Sequence, residues 1–98
     1  MAIDVEWQNE RGECLARYDG PALDGGLSEL APKDSICLRF IDPYGDTVFN
    51  SAQVGELERE LAVFAPQNDE VAHQANSLLK FLKLIPNRVH RYLKFIGD

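Results

Sequence analysis

The sequence predicts an α+β fold in which an antiparallel sheet of about five strands carries two helices on one face. Three observations lead to this prediction. Apolar residues alternate with polar ones at the start of the chain and in residues 36–41, as in half-buried strands. Two later segments carry apolar residues at helical spacing, each after an asparagine suited to an N-cap. A length of 98 residues with 45% hydrophobic residues suits one core, so a single domain spanning residues 1–98 is expected.

The first elements are predicted to be a β-hairpin. Apolar and acidic residues alternate over residues 3–7, turn-forming residues follow at 9–12, and residues 13–18 return as a second strand. Trp7 continues the apolar face of the first strand, so it is expected to anchor the core. On the returning strand, Cys14 is expected to face the core beside Ala16.

A second hairpin is predicted around an Asp-Pro-Tyr-Gly turn at residues 42–45. The strand before this turn, residues 36–41, would place three apolar side chains on the core, namely Ile36, Leu38 and Phe40. Cys37 would then lie on the opposite face. With the two cysteines on different strands and different faces, no disulfide between them is expected. Residues 47–49 would form the second strand of this hairpin.

Two helices and a final strand complete the predicted fold. Asn50 with Gln53 three residues later matches a capping box, and Pro66 stops the helix that follows. Asn68 begins a second helix with acidic residues in its first turn. The C-terminal segment, residues 89–98, fits either a helix or a strand, because Val89, Tyr92, Leu93 and Ile96 have helical spacing. Its aromatic and β-branched side chains and the lack of an acidic first turn favour a strand over residues 92–96 that returns to the sheet.

The segment 19–34 breaks every periodic pattern. It contains two Pro, three Gly and four acidic residues, and it is predicted to be a long loop with one helical turn around residues 27–30. Long loops in compact domains are often functional, although a simple connector between hairpins is equally consistent with this composition.

The charge distribution favours a basic protein as the partner. The net charge is −6, and fifteen of the sixteen acidic residues fall in residues 1–70, whereas half of the ten Lys and Arg residues fall in residues 71–98. This balance disfavours nucleic acid and anionic membranes. The longest unbroken apolar run, residues 61–65, is too short for a membrane span or a signal peptide. A cytoplasmic protein is therefore expected.

The candidate binding residues fall in two groups. A protein-binding surface would use the acidic loop together with the open face of the sheet, through Asp19, Asp24, Glu29, Asp34 and Arg39. The alternative is a small-molecule or anion-binding regulatory protein that uses the basic C-terminal segment, through Arg88, His90 and Arg91. No nucleophile motif, phosphate-binding loop or metal-ligand spacing is present, so neither catalysis nor a cofactor or metal is expected.

The segment Phe40 to Asn50, FIDPYGDTVFN, resembles a group of small uncharacterised bacterial proteins of about this length, as do residues 5–7 and 92–98. This resemblance implies no activity and no site residues. In size, acidity and predicted architecture the chain is also similar to immunity proteins that neutralise bacterial toxins, without a shared motif. The leading hypothesis is a non-catalytic protein-binding module, a monomer or weak homodimer, with an immunity-type inhibitor of a basic protein as one form of it.

Overall fold

A computed structural model describes residues 2–64, 66–85 and 89–97. Its antiparallel sheet has the strand order β2-β1-β4-β3 and consists of β1 (Asp4–Asn9), β2 (Cys14–Arg17), β3 (Asp46–Phe49) and β4 (Arg91–Ile96). The helices are α1 (Gly26–Glu29), α2 (Ser51–Val63) and α3 (Asp69–Leu82), with a 3-10 helix at Leu38–Phe40. The α+β class is confirmed, and within the described ranges the sheet has four strands rather than about five.

The first hairpin and the C-terminal strand are confirmed. Strand β1 pairs antiparallel with both β2 and β4, so that Glu6 lies opposite Arg17 on one side and Lys94 on the other. Trp7 is fully buried, and its indole N–H donates to the Phe81 carbonyl oxygen over 3.4 Å. This contact joins the centre of the sheet to α3, as expected of a core anchor.

A β-bulge reverses the predicted orientation of Cys14. Trp7 pairs with Ala16, but the next residue, Gln8, pairs with Cys14, which leaves Leu15 as an extra residue in β2. The extra residue moves Cys14 from the core face to the open face of the sheet. Cys14 is exposed, and the prediction that it faces the core is wrong.

The predicted second hairpin is absent from the described residues. The chain at residues 36–41 forms the 3-10 helix instead of a strand, and β3 pairs with β4. Ile36 and Phe40 are exposed to 58% and 56%, whereas Leu38 and Cys37 are buried. The predicted core face is therefore correct for Leu38 alone, and the predicted position of Cys37 is wrong.

The side chain of Glu60 explains this difference. Its carboxylate, on α2, accepts hydrogen bonds from the backbone N–H groups of Ile36, Cys37 and Leu38, over 2.8, 3.2 and 2.9 Å. A strand would need backbone groups of this stretch for its ladder. Burial, followed by the nearby Glu60 carboxylate, raises the pKa of the Cys37 thiol, which therefore stays protonated at neutral pH.

Both long helices begin where the sequence predicts. The Asn50 side chain accepts from the Gln53 N–H and the Gln53 side chain accepts from the Asn50 N–H, each over 2.9 Å, which completes the capping box. The Asn68 side chain accepts from the N–H groups of Glu70 and Val71. The stripe that α2 buries comprises Val54, Leu57 and Leu61. No helix among the described residues is long and apolar enough to cross a membrane.

The long loop contributes to the core. Leu23 and Leu27 are buried, and the Ile3 N–H donates to the Leu23 carbonyl oxygen over 2.9 Å. Leu27 lies in α1, which confirms the predicted helical turn. Because Leu23 and Leu27 are buried, the loop presents its exposed residues from an anchored backbone.

Candidate binding surface

Two hydrogen bonds of Asp24, one to its carboxylate and one from its backbone N–H, fix the position of α1. The Asp24 carboxylate accepts from the Gly26 N–H over 2.8 Å, and the Asp24 N–H donates to the side-chain oxygen of Gln74, a buried residue of α3, over 3.3 Å. A Cβ atom at Gly26 would lie 2.7 Å from Cγ2 of Val71. Only glycine therefore lets α1 approach α3 this closely.

The turn at residues 42–45 is equally well fixed. The Tyr44 N–H donates to the Asp42 carboxylate over 2.8 Å, and the Gly97 N–H donates to the Gly45 carbonyl oxygen over 2.8 Å. The predicted turn is confirmed, although it leads from the 3-10 helix into β3 instead of closing a hairpin. The Tyr44 side chain projects from this fixed backbone, and the residue is 70% exposed.

Large apolar side chains are exposed on the segment that holds α1, the 3-10 helix and this turn. We use the name acidic-apolar surface for a set of six residues: Glu29, Leu30, Asp34, Ile36, Phe40 and Tyr44. The four apolar members are each at least 47% exposed. Because α1 and the 3-10 helix contact each other, members of the set lie on adjoining elements. Aromatic and aliphatic side chains with a polar rim are typical of protein interfaces.

A cavity of about 480 Å³ is lined by three members of this set, Glu29, Leu30 and Tyr44. We call it the α1 cavity, and its lining residues are Asp24, Gly25, Gly26, Glu29, Leu30, Pro43, Tyr44, Asn68 and Val71. Two of these residues carry carboxylates, and none of the described residues that line the cavity is basic. The cavity therefore favours a positively charged group over an anion.

The structure brings together two of the four predicted acidic residues. Asp24 and Glu29 line the α1 cavity, whereas Asp34 is exposed on the chain that links α1 to the 3-10 helix and does not line the cavity. Asp19 instead lines a different cavity, of about 260 Å³, together with Lys80. Asp19 is therefore not part of the acidic-apolar surface.

Arg39 lies in the 3-10 helix rather than in the middle of a strand, so its predicted setting is wrong. Its Nε donates to the Ser35 carbonyl oxygen over 2.6 Å. Its guanidinium carbon lies 4.4 Å from the centre of the Phe40 ring, a distance typical of a cation–π contact. Arg39 thus covers part of the exposed Phe40 ring.

The open face of the sheet carries charges that are already paired. Glu6 is only 8% exposed, and its carboxylate accepts from the Gln8 amide over 2.6 Å and from the Arg17 guanidinium over 3.2 Å. The Gln8 hydrogen bond, followed by the Arg17 contacts, outweighs burial and lowers the pKa of Glu6. Lys94 lies 3.5 Å from the Asp46 carboxylate. This face has fewer unpaired charges to offer than the acidic-apolar surface.

The predicted anion site is only partly described. His90 and Arg91 line a cavity of about 280 Å³ at the start of α2, with Asn50, Ser51, Val89 and Tyr92. His90 Nδ1 lies 3.6 Å from a carboxylate oxygen of Glu10. Arg88 lies outside the described residues.

Sequence reasoning missed the apolar half of the candidate surface. It assigned Ile36 and Phe40 to the core and treated Tyr44 only as a turn residue. Turns run over the protein surface, so the Asp-Pro-Tyr-Gly pattern predicts an exposed Tyr44. For Ile36 no local signal is present, because its backbone N–H is bound by the distant residue Glu60. Phe40 lies in the 3-10 helix that follows, where the alternation of a strand does not apply.

Within the described ranges, no group of three or more His, Cys, Asp or Glu side chains is placed to hold a metal ion. The acidic-apolar surface offers aliphatic side chains, carboxylates and two aromatic rings, which together suit binding. Comparisons with protein-family models, with curated proteins and with solved structures gave no match. The acidic-apolar surface is therefore interpreted from its own geometry and charge.

Proposed function

We propose that the protein is a non-catalytic protein-binding module that contacts its partner through the acidic-apolar surface. The observation that carries this proposal is the exposure of Leu30, Ile36, Phe40 and Tyr44, of which Ile36 and Tyr44 have backbone N–H groups bound by carboxylates. Interfaces draw most of their binding energy from a few such anchors, and tyrosine is prominent among them. A fixed backbone also reduces the entropy lost on binding.

The charge of the chain supports a basic partner. The net charge is −6, and Glu29 and Asp34 flank the exposed apolar side chains. Complementary charge accelerates association and selects against acidic proteins, and its contribution falls with ionic strength. Binding to a basic protein should therefore weaken as salt is added.

A capture experiment tests this proposal. Tagged protein is incubated with lysate of its source cells, in parallel with the double variant Ile36→Ser/Tyr44→Ala and with the control Val63→Ser. Val63 is 79% exposed at the end of α2, outside the acidic-apolar surface. We expect a basic protein that elutes with salt, that the double variant fails to capture and that the control retains. Equal capture by all three proteins would refute the proposal.

An immunity-type inhibitor is the more specific form of this proposal. Its partner would be a basic toxin, and the acidic-apolar surface would cover a functional part of that toxin. Co-expression with a toxin encoded beside this gene should restore growth, and the Ile36→Ser/Tyr44→Ala variant should not. Unimpaired rescue by a folded double variant would refute the inhibitor form.

Anion binding is a second candidate, favoured by the cavity that places His90 and Arg91 beside the start of α2. A helix N-terminus with a cationic side chain suits phosphate. A titration with inorganic phosphate at low pH, monitored by amide NMR, should shift the signals of Ser51 and Arg91. The same titration of His90→Ala should show no such shift. No saturable change at these amides would exclude this candidate.

A further inference from the structure

We infer that the α1 cavity receives an arginine side chain of the partner. This inference rests on the proposed function, because the arginine would belong to the protein that covers the acidic-apolar surface. The cavity volume of about 480 Å³ lies within the range of ligand sites, about 300–1,000 Å³. An arginine side chain and its adjacent backbone would fit in such a space and occupy part of it.

The carboxylates of the cavity have capacity left for a cation. The Glu29 carboxylate makes no hydrogen bond or ion pair with any part of the chain that the structure describes, and only the backbone N–H of Glu29 is bound, to the Gly25 carbonyl oxygen. Asp24 accepts one hydrogen bond, from the Gly26 N–H, and a carboxylate has about four acceptor positions. A guanidinium group would find acceptors at Glu29 and at the remaining positions of Asp24.

The rest of the lining suits the other parts of an arginine. Leu30 and Pro43 offer apolar surface to the methylene groups. Tyr44 lines the same cavity and is largely exposed, so its ring is available for a planar guanidinium to stack on. The protein makes such a contact itself, where Arg39 stacks on Phe40 at 4.4 Å.

The walls of the cavity are formed before any ligand binds. Gly26 lies against Val71, where no Cβ atom would fit, so α1 cannot shift towards α3. The Gly97 hydrogen bond holds the turn that carries Tyr44. A cavity built on two fixed elements loses little freedom when it is filled, which favours recognition of one side chain.

Amide NMR with three blocked peptides tests this inference: acetyl-Gly-Arg-Gly-amide, its citrulline analogue and its lysine analogue. Citrulline keeps the shape of arginine and removes its charge. We expect saturable shifts at Gly25, Leu30 and Tyr44 with the arginine peptide, weaker shifts with lysine and none with citrulline. Glu29→Gln should weaken arginine binding by about two- to fivefold, as for one exposed charge pair.

The matched control is Glu13→Gln, which removes one exposed negative charge far along the chain from the cavity and should leave arginine binding unchanged. Equal shifts with citrulline, stronger binding of lysine, or no saturable shift at millimolar arginine peptide would each overturn the arginine site. These outcomes differ from failure of the proposed function, which is shown by equal capture of the basic partner by the Ile36→Ser/Tyr44→Ala variant.

Discussion

Replacing Glu60 with alanine should destabilise the protein and disorder the chain that carries Ile36. The Glu60 carboxylate accepts three backbone hydrogen bonds, over 2.8 to 3.2 Å, from the N–H groups of residues 36–38. These residues have no strand partner in the structure, so the carboxylate holds them in place. Loss of Glu60 therefore affects both stability and the acidic-apolar surface.

The magnitude follows from the number and exposure of these bonds. A hydrogen bond to a charged acceptor contributes about 1.5–3 kcal/mol, so three bonds set an upper limit of about 9 kcal/mol. The bond at Ile36 is exposed and water can replace it, whereas Cys37 and Leu38 are buried. The higher helix propensity of alanine offsets up to about 0.7 kcal/mol of the stability that is lost with the hydrogen bonds. We expect the free energy of unfolding to fall by about 2–4 kcal/mol.

Urea denaturation followed by circular dichroism measures this change, and amide hydrogen exchange locates it. Glu56→Ala is the matched control, because Glu56 lies one helical turn earlier on α2, and the structure pairs its side chain with Arg59. The control should lose less than about 1 kcal/mol. If Glu60→Ala were as stable as Glu56→Ala, with unchanged exchange at Cys37 and Leu38, the assigned role of Glu60 would be refuted.

Three further predictions concern the frame of the fold. Gly97→Ala should lower the free energy of unfolding by about 1–3 kcal/mol in urea denaturation, because a Cβ atom there would lie 2.5 Å from the Gly45 backbone; an unchanged midpoint would contradict this packing. Asn50→Ala removes the capping box and should cost about 0.5–2 kcal/mol by the same assay, with Ser51→Ala as the control. Folding lowers the pKa of Glu6 below its ordinary value of 4.5, so the ionised carboxylate stabilises the folded state at pH values above 4.5. This stabilisation is lost as the pH falls through the lowered pKa of the folded state. Glu6→Gln should therefore show a smaller loss of stability than wild type between neutral pH and pH values below 4.5, and parallel curves would refute the Glu6 assignment.

The parts of the fold that were predicted correctly depend on residues that are close together in the sequence. The capping box at Asn50 and the cap at Asn68 are complete within a few residues, so the sequence alone shows them. The first hairpin and the C-terminal strand have alternating or β-favouring residues that no distant contact overrides. Trp7 was likewise recognisable, because it continues the apolar face of β1.

The errors arose where distant contacts decide the local structure. Alternation at residues 36–41 resembled a strand, but Glu60, more than twenty residues later, binds the N–H groups of that stretch. Cys14 was placed on the wrong face because a single bulge residue, Leu15, reverses the alternation, and nothing in the local sequence marks the bulge.

In the candidate site, too, some features follow from the local sequence and others from contacts between distant segments. The acidic residues Asp24 and Glu29 were predicted from composition, and both line the α1 cavity. The cavity itself requires α1, the turn at residues 42–45 and the start of α3 to meet, which only the tertiary structure shows. Only the structure therefore identifies Tyr44 and Leu30 as residues of the site.

The dissociation constant of the captured partner shows whether a basic protein binds the acidic-apolar surface. Isothermal titration of the purified partner would compare wild type, Phe40→Ser/Tyr44→Ala and Val63→Ser at low and high salt. We expect binding at least about tenfold weaker for the double variant, unchanged binding for the control, and a weakening with salt in wild type. A folded double variant that binds as tightly as wild type would show that the partner does not bind this surface.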